Sequence, residues 1–486
     1  MRLRILSAFL LLSAALRAQA PAETTPAARP LTLEDAVALA LDKNFDLKIQ
    51  RLTTESSADT LVIADAAYDP SLSLTTARTY TQSTDGVTSQ TGWDTRVGAS
   101  QKLITGATVN GSGSLDRTHN RPLLSSGLNP VFDSDVAISV SQPILRGGGF
   151  ATNRAAINRA KLGITRANYD FKDAVLTTIR DVETAYYNVS FARSQLEVRQ
   201  FSLEVANKLL EENRTRVEVG TAIELDVLQA QVGVANARRA LLQAEQNVHN
   251  TEDTLLSLIN PFEFSVSPGP MVLPELGDVS VSFDHSYKLA RDQAPSLASS
   301  QLSIEQLKLD ATVAKNNQLP TVDVGAALGY NARKDSGGEA LSDVWGSDGY
   351  NWQLDATVSL PWGLRADKAR YRQAMSTLHR EQLRLQQIDQ SILVQVRAAI
   401  RSVDTNKESV RIASLATKLS DQQYAAEKDR YDNGVSTFRR VQEAKEDLDA
   451  ARIIELQARF SLRNALADLA RLEASSLTRY HITLAE

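Results

Sequence analysis

Arg216-Val217-Glu218-Val219-Gly220-Thr221 and, 214 residues later, Arg430-Tyr431-Asp432-Asn433-Gly434-Val435 decide how this chain folds. The same shift lays Ala185 on Ala399, Val227 on Val441, Ala230 on Ala444, Ala237-Arg238 on Ala451-Arg452 and Leu242-Gln243-Ala244 on Leu456-Gln457-Ala458, with no gap through Leu258 and Leu472. Each glycine interrupts a long stretch without proline, 144–260 and 362–486. Glycine after a run of good helix formers is a helix terminator, and proline-free flanks let helices continue on both sides. The chain therefore carries two long helical hairpins, each bent at a glycine.

A second duplication, at a shift of 250, pairs Ala40 with Ala290, Leu47 with Leu297, Pro70 with Pro320 and Leu74 with Val324. The order in each repeat is short helix, β-region, long helix, glycine turn, medium helix. The first repeat covers 21–260, with a helix at 32–67 opened by Thr32 as N-cap, a β-region at 70–143 and a hairpin at 150–259 turning at 220. A linker at 261–281 leads to the second repeat at 282–474, with a helix at 282–318, a β-region at 320–361 and a hairpin at 364–473 turning at 434; 475–486 form a tail. The drop in shift from 250 to 214 places an insertion in the first β-region.

Alternation of period two marks the strands: Ser71-Leu72-Ser73-Leu74, Val136-Ala137-Ile138-Ser139-Val140-Ser141, Val322-Asp323-Val324 and Leu354-Asp355-Ala356-Thr357-Val358-Ser359-Leu360. The inserted part holds 95–103 and 107–115 around Thr105-Gly106, a hairpin signal. An added strand pair keeps up-and-down parity and makes six strands in place of four; an external loop insertion is the alternative reading. The segment 334–350 is a polar loop.

At 1.5 Å per residue, each long helix reaches on the order of 100 Å. The short and medium helices of a repeat, stacked end to end, match it and can lie antiparallel beside it. Ile223, Val227, Ala230, Val234, Ala237, Leu241, Ala244, Val248, Thr251, Leu255 and Leu258 follow 4-3-4-3 spacing, which implies a left-handed supercoil. The second copy keeps the seam except at Glu455. The expected fold is mainly α with a β-barrel portion.

Arg2 and Arg4 precede an apolar run from 5 to 16, and Ala18-Gln19-Ala20 fits a cleavage site, so 1–20 are expected to be a signal peptide. Its loss removes Arg2, Arg4 and Arg17 and takes the net charge from −5 to −8. The chain has no cysteine, so stability comes from packing or assembly, and no residue is available for lipid acylation. No later stretch is long and apolar enough for a spanning helix, so a membrane crossing requires β-strands.

No catalytic constellation stands out. His119, His249, His285, His379 and His481 are scattered without metal-ligand spacing. Gly147-Gly148-Gly149 is followed by no G-K-[ST], so it reads as a flexible strand-to-helix junction and not a phosphate loop. Acidic charge without a concentrated basic patch argues against nucleic acid as a partner. No cofactor or metal is expected. Glu224 and Asp226 follow the first glycine turn, and Arg439, Arg440 and Glu443 the second. On one chain these are solvated helix faces; in a symmetric oligomer they form rings of charge that select what passes.

Leu31-Thr32-Leu33-Glu34-Asp35-Ala36, Ser141-Gln142-Pro143-Ile144-Leu145-Arg146-Gly147, Leu319-Pro320 and the two glycine turns, in that order, make the chain resemble the outer membrane factor (TolC-type) family. The resemblance implies a homotrimer in the outer membrane, whose strands close one barrel in outer membrane lipid and whose helices form a periplasmic tunnel. It implies an exit duct of a tripartite efflux or type I secretion system, working with a periplasmic adaptor (membrane fusion) protein and an inner membrane transporter. Val219, Gly220, Thr221, Asn433, Gly434 and Val435 then become adaptor-docking tips, and Asp226, Arg440 and Glu443 a periplasmic aperture. Some family members carry acids six and nine residues after the second glycine. Here Arg440 and Glu443 stand there, which departs from an all-acidic gate. A secreted or periplasmic coiled-coil scaffold or adaptor, and more distantly an enzyme, are the competing readings.

Overall fold

A computed structural model describes residues 30–483 apart from 85–87, 122–128, 222, 263–267, 274–280 and 347–348. The expected signal peptide lies outside the described residues. The elements run α1 (Leu33–Lys43), α2 (Phe45–Ala66), β1 (Ser71–Gln82), β2 (Ser89–Lys102), β3 (Thr108–Arg121), β4 (Val131–Pro143), α3 (Phe150–Asn153), α4 (Ala155–Glu218), α5 (Glu224–Ile259), α6 (Phe283–Gln293), α7 (Pro295–Asn316), β5 (Thr321–Lys334), α8 (Gly337–Asp343), β6 (Tyr350–Ser359), α9 (Arg365–Asp432), α10 (Phe438–Leu472) and α11 (Ser475–Arg479).

The long helices set the scale. The 64 residues of α4 and 68 of α9 extend about 96 and 102 Å. Helices α1, α2 and α5 pack along α4, and α6, α7 and α10 along α9, while α7 and α10 also touch α4 and so join the two repeats. The short helix of each repeat is broken where its sequence supplies a new cap. Asn44 ends α1 and accepts the N–H groups of Asp46 and Leu47 to start α2. Pro295 opens α7 at a first-turn position, where a missing N–H costs nothing. Thr32 caps α1 by accepting from the Asp35 N–H at 3.1 Å.

The core gathers where α1, the middle of α4 and the end of α5 meet: Leu33, Val37, Leu47, Val175, Ile179, Val182, Tyr186, Val189, Leu255 and Ile259 are buried together. Tyr186 ties the inter-repeat segment to this core, its hydroxyl donating to the carbonyls of Leu31 (2.8 Å) and Val272 (2.9 Å).

The strands form one antiparallel sheet ordered β1-β2-β3-β4-β5-β6. The inserted hairpin is thus β2–β3, in register with its neighbours over 12 and 11 residue pairs. Its turn is built into the molecule: the Thr105 carbonyl accepts from Gly149 N–H at 3.0 Å and from Gln142 Nε2 at 3.2 Å. Gly106 has φ +94°, and a Cβ there would sit 2.5 Å from the Gly147 carbonyl oxygen. The triple glycine is correspondingly fixed and not flexible, with Gly147 N–H on Asn316 Oδ1 at 2.8 Å. The segment after β5 is no plain loop either. Helix α8 lies against β3, β4 and β5, with Ala340 and Val344 buried. At the helix end of the sheet, beside the triple glycine, Arg146 of the first repeat reaches the buried Asp367 of the second at 3.3 Å.

Candidate functional site

Two places can do something other than hold the molecule together: the far end of the helices and the faces of the sheet. At the far end both glycine turns have the same cap. Gly220 N–H bonds the Val217 carbonyl and Thr221 N–H the Arg216 carbonyl; Gly434 and Val435 repeat this with Tyr431 and Arg430. That pairing is a Schellman cap, which needs a left-handed residue after the last helical one. The glycines supply it with φ +76° and +75°. Val219, Thr221, Asn433, Gly434 and Val435 are exposed, so each turn presents a short tip with an apolar residue, Val219 or Val435.

Behind the tips, side chains lock the two hairpins together. Tyr431 Oη donates to Asn213 Oδ1 at 2.7 Å in a buried contact. Burial pushes the Tyr431 hydroxyl up despite the Arg216 cation, so it keeps the proton it donates. Arg216 stacks 4.4 Å over the Tyr431 ring and pairs with Asp432 at 2.6 Å, and Lys428 reaches Glu212 at 3.4 Å. Further along, Lys445 Nζ bonds Asp449 (2.6 Å) and Ser202 (2.8 Å), all three buried between α4 and α10. The sequence reading missed this clasp. Its pairs nearest the tips are 216 or 218 positions apart, close to the repeat shift of 214, and that near-coincidence was the available signal for them.

Asp226, Arg440 and Glu443 are not brought into contact. The Asp226 carboxylate accepts from the Ile223 N–H at 3.4 Å, capping the start of α5. Glu443 pairs with Arg439 at 2.9 Å on an exposed face of α10. Arg440, also exposed, has no ion pair among the described residues. Between α5 and α10 runs a groove lined by Leu225, Leu228, Val232, Arg439, Gln442 and Glu443.

Midway along α4, Glu183 is fully buried, with Oε1 accepting from Tyr480 Oη at 2.5 Å and Arg479 at 3.4 Å, which ties α11 to α4. Burial pushes the Glu183 carboxyl up, against the Tyr480 and Arg479 hydrogen bonds. The neighbouring Tyr187 is pushed up to about 12 by burial and by Glu183.

The sheet sorts its residues by face. Register puts Leu72 and Leu74 beside Ala99 and Val97, then Val136, Ile138 and Val140, then Val324, Ala326 and Leu328, then Leu354, Ala356 and Val358 on one face. The strand carboxylates Asp94, Asp116, Asp133, Asp135, Asp323 and Asp355 occupy the other, with Asp94, Asp116 and Asp133 in one cross-strand row. An apolar face backed by a polar one, on strands of 10–14 residues, is what a wall between lipid and water requires. Among the described residues no helix is long and apolar enough to cross a membrane, and no cluster of metal-ligating side chains is present.

The family model described as outer membrane efflux protein matches residues 36–261 and 286–474. A pyoverdine export outer membrane protein of Pseudomonas aeruginosa is 25% identical over 390 residues, covering 78% of this chain and 74% of that one. Among solved structures, the outer-membrane channel OprN superposes with a TM-score of 0.70 at 16% identity, over 91% of this chain and 89% of that one. The outer membrane channel CmeC of Campylobacter jejuni gives 0.68 at 18% identity, over 93% and 90%.

Proposed function

From the premise that this chain belongs to the outer membrane efflux protein family, outer membrane channels reaching into the periplasm rather than enzymes, we propose that three copies close one passive exit duct. The observation that carries this reading is the open sheet. Strands β1 and β6 are its edges, each with one side unpaired in the single chain. A membrane sheet cannot keep free edges, because lipid offers their N–H and C=O groups no partner. The edges run in opposite directions, so β6 of one copy can pair antiparallel with β1 of the next. Three copies of a six-stranded sheet give a wall of eighteen strands, in the range that encloses an aqueous channel.

The helices support the same closure. Ile49, Leu52, Val62 and Ile63 of α2, Val232 and Leu242 of α5, and Leu383, Val394, Ile412, Leu415 and Leu419 of α9 are exposed apolar residues on the outer helices of one copy. Burying them against neighbours makes a tube of about 100 Å, a length suited to crossing the periplasm. The tips Val219-Gly220-Thr221 and Asn433-Gly434-Val435 then lie at the end away from the membrane, where a periplasmic adaptor joined to an inner membrane transporter would dock. Likeness to a pyoverdine export protein makes small-molecule export the first cargo class to assay, with secreted proteins second.

The purified protein is expected in the outer membrane fraction as a trimer that conducts ions in planar bilayers. A soluble monomer without conductance would refute the duct. For the aperture, Arg440→Asp should shift the reversal potential toward cation preference. Identical reversal potentials in parent and variant would remove Arg440 from the pore lining.

A further inference from the structure

The apolar face of the sheet carries charge in one place. Register aligns Arg78 with Trp93, Trp93 with Arg117, Arg117 with Phe132 and Phe132 with Lys334. The result is one row, crossing β1 to β5, of alternating cation and aromatic ring. Arg78 lies 5.5 Å from the Trp93 ring centre and Arg117 5.9 Å from that of Phe132. Arg121 follows on the same face of β3, one alternation higher than His119. No strand aspartate shares this face, since register assigns them all to the opposite one. At the β4–β5 end helix α8 lies on this face, with Gly337 against the Phe132 ring and Asp343 pairing Lys334 at 2.6 Å, so the open part of the row is Arg78, Trp93 and Arg117 on β1 to β3. Arg78 and Arg117 are exposed and have rings, with no carboxylate partner among the described residues.

Every member of the row lies in the half of its strand remote from the helices. Arg117 stands nine positions beyond Thr108, about 30 Å along the strand and about 22 Å in height at a tilt near 45°, close to the upper edge of an apolar band about 25 Å tall. A cation facing lipid is costly at the midplane and cheap at headgroup depth. Aromatic rings belong at that same depth.

We propose that this row binds the phosphates of an anionic lipid in the outer leaflet. The inference rests on the outer membrane reading above and deepens it by naming a ligand class for the outer wall. Arginine suits the task because its planar fork bonds phosphate oxygens in pairs and stays charged. The rings hold the arginine stems against the wall, and Arg78 and Arg117, with no carboxylate partner among the described residues, keep their guanidinium donors for the lipid.

The test uses the full chain in phosphatidylcholine nanodiscs doped with diphosphorylated lipid A or with the same lipid stripped of phosphate, and native mass spectrometry counts retained lipid. The parent should prefer the phosphorylated form by roughly tenfold, and Arg78→Gln with Arg117→Gln should abolish the preference. Arg96→Gln, on the polar face, should leave it intact. Equal retention of both lipids, or an undiminished preference in the double variant, overturns the proposal. Loss of preference in Arg96→Gln overturns the face assignment. Displacement of the lipid by millimolar inorganic phosphate would replace the lipid site with a plain anion site and also count against it. Fractionation run alongside separates the two claims. Protein missing from the outer membrane defeats the duct, whereas protein present there without phosphate preference defeats this inference alone.

Discussion

The first repeat sends four strands into the sheet, β1 to β4, and the second sends two, β5 and β6, while the hairpins that descend from them are nearly equal. Helices α4 and α5 hold 64 and 36 residues, α9 and α10 68 and 35. The inequality teaches which part of a duplicated channel is free to change. Under the proposed docking both tips meet one partner in the same plane, so neither hairpin can lengthen alone. A closed sheet only needs strands in pairs, and a hairpin added at its middle disturbs no helix. The price is a turn that must fit the helix junction, which Gly106 and Thr105 provide.

Removing 89–121 would make the repeats match and should have the largest effect. With β1 then pairing β4, three copies would close twelve strands, and the lumen cross-section should fall to about half, since diameter follows strand number. Single-channel conductance should drop in proportion. Unchanged conductance would mean that β2–β3 lies outside the wall.

The tips set like against like in a second way. Tyr431→Phe leaves Asn213 Oδ1 buried without its donor, a loss of about 1–3 kcal/mol. Arg216→Ala removes a partly exposed pair with Asp432, worth under about 1 kcal/mol, and the stack on the Tyr431 ring, worth about 0.5–1 kcal/mol. Amide exchange at α4 and α9 near the turns should therefore speed up more in the tyrosine variant. The reverse order would place the strength of the clasp in its charges.

Gly220→Ala and Gly434→Ala should each cost about 1–2 kcal/mol, because both force a side chain into the left-handed region. Equal losses of local protection are expected. A large difference would show that the repeats are not equivalent where their backbones agree.

The smallest effect belongs to Glu183, which sits in the first long helix without a carboxylate counterpart, since the shift of 214 falls on Arg397. Its carboxyl holds a proton to higher pH in the folded protein than in the unfolded chain, whose ordinary value is 4.5. The folded state then binds more protons, and stability falls as pH rises from that value toward neutrality. Melting of Glu183→Gln across this window should decline less than that of the parent; parallel curves would show that burial does not govern this carboxyl.

Much of this architecture is legible in the residues, and the exceptions have physical causes. Alternation in 71–74, 136–141 and 354–360 shows which residues share a face, because strand geometry has a fixed period. Both Schellman caps follow from a glycine ending a helical run. The break at Ala294–Pro295 was visible in principle, but proline is tolerated in a first turn and only a second N-cap distinguishes break from kink. Helix α8 was hidden because seven residues with two glycines have no readable period. The clasp was hidden for a different reason: Asn213–Tyr431 and Ser202–Lys445–Asp449 depend on how the repeats pack, which no local pattern encodes.

The most direct measurement is electron cryomicroscopy of the purified full chain in lipid nanodiscs. The account predicts a threefold particle with eighteen strands around its wall, β6 of each copy beside β1 of the next, above a helical tube on the order of 100 Å. A monomer, or a twelve-stranded wall with the β2–β3 hairpins projecting beyond it, would contradict it.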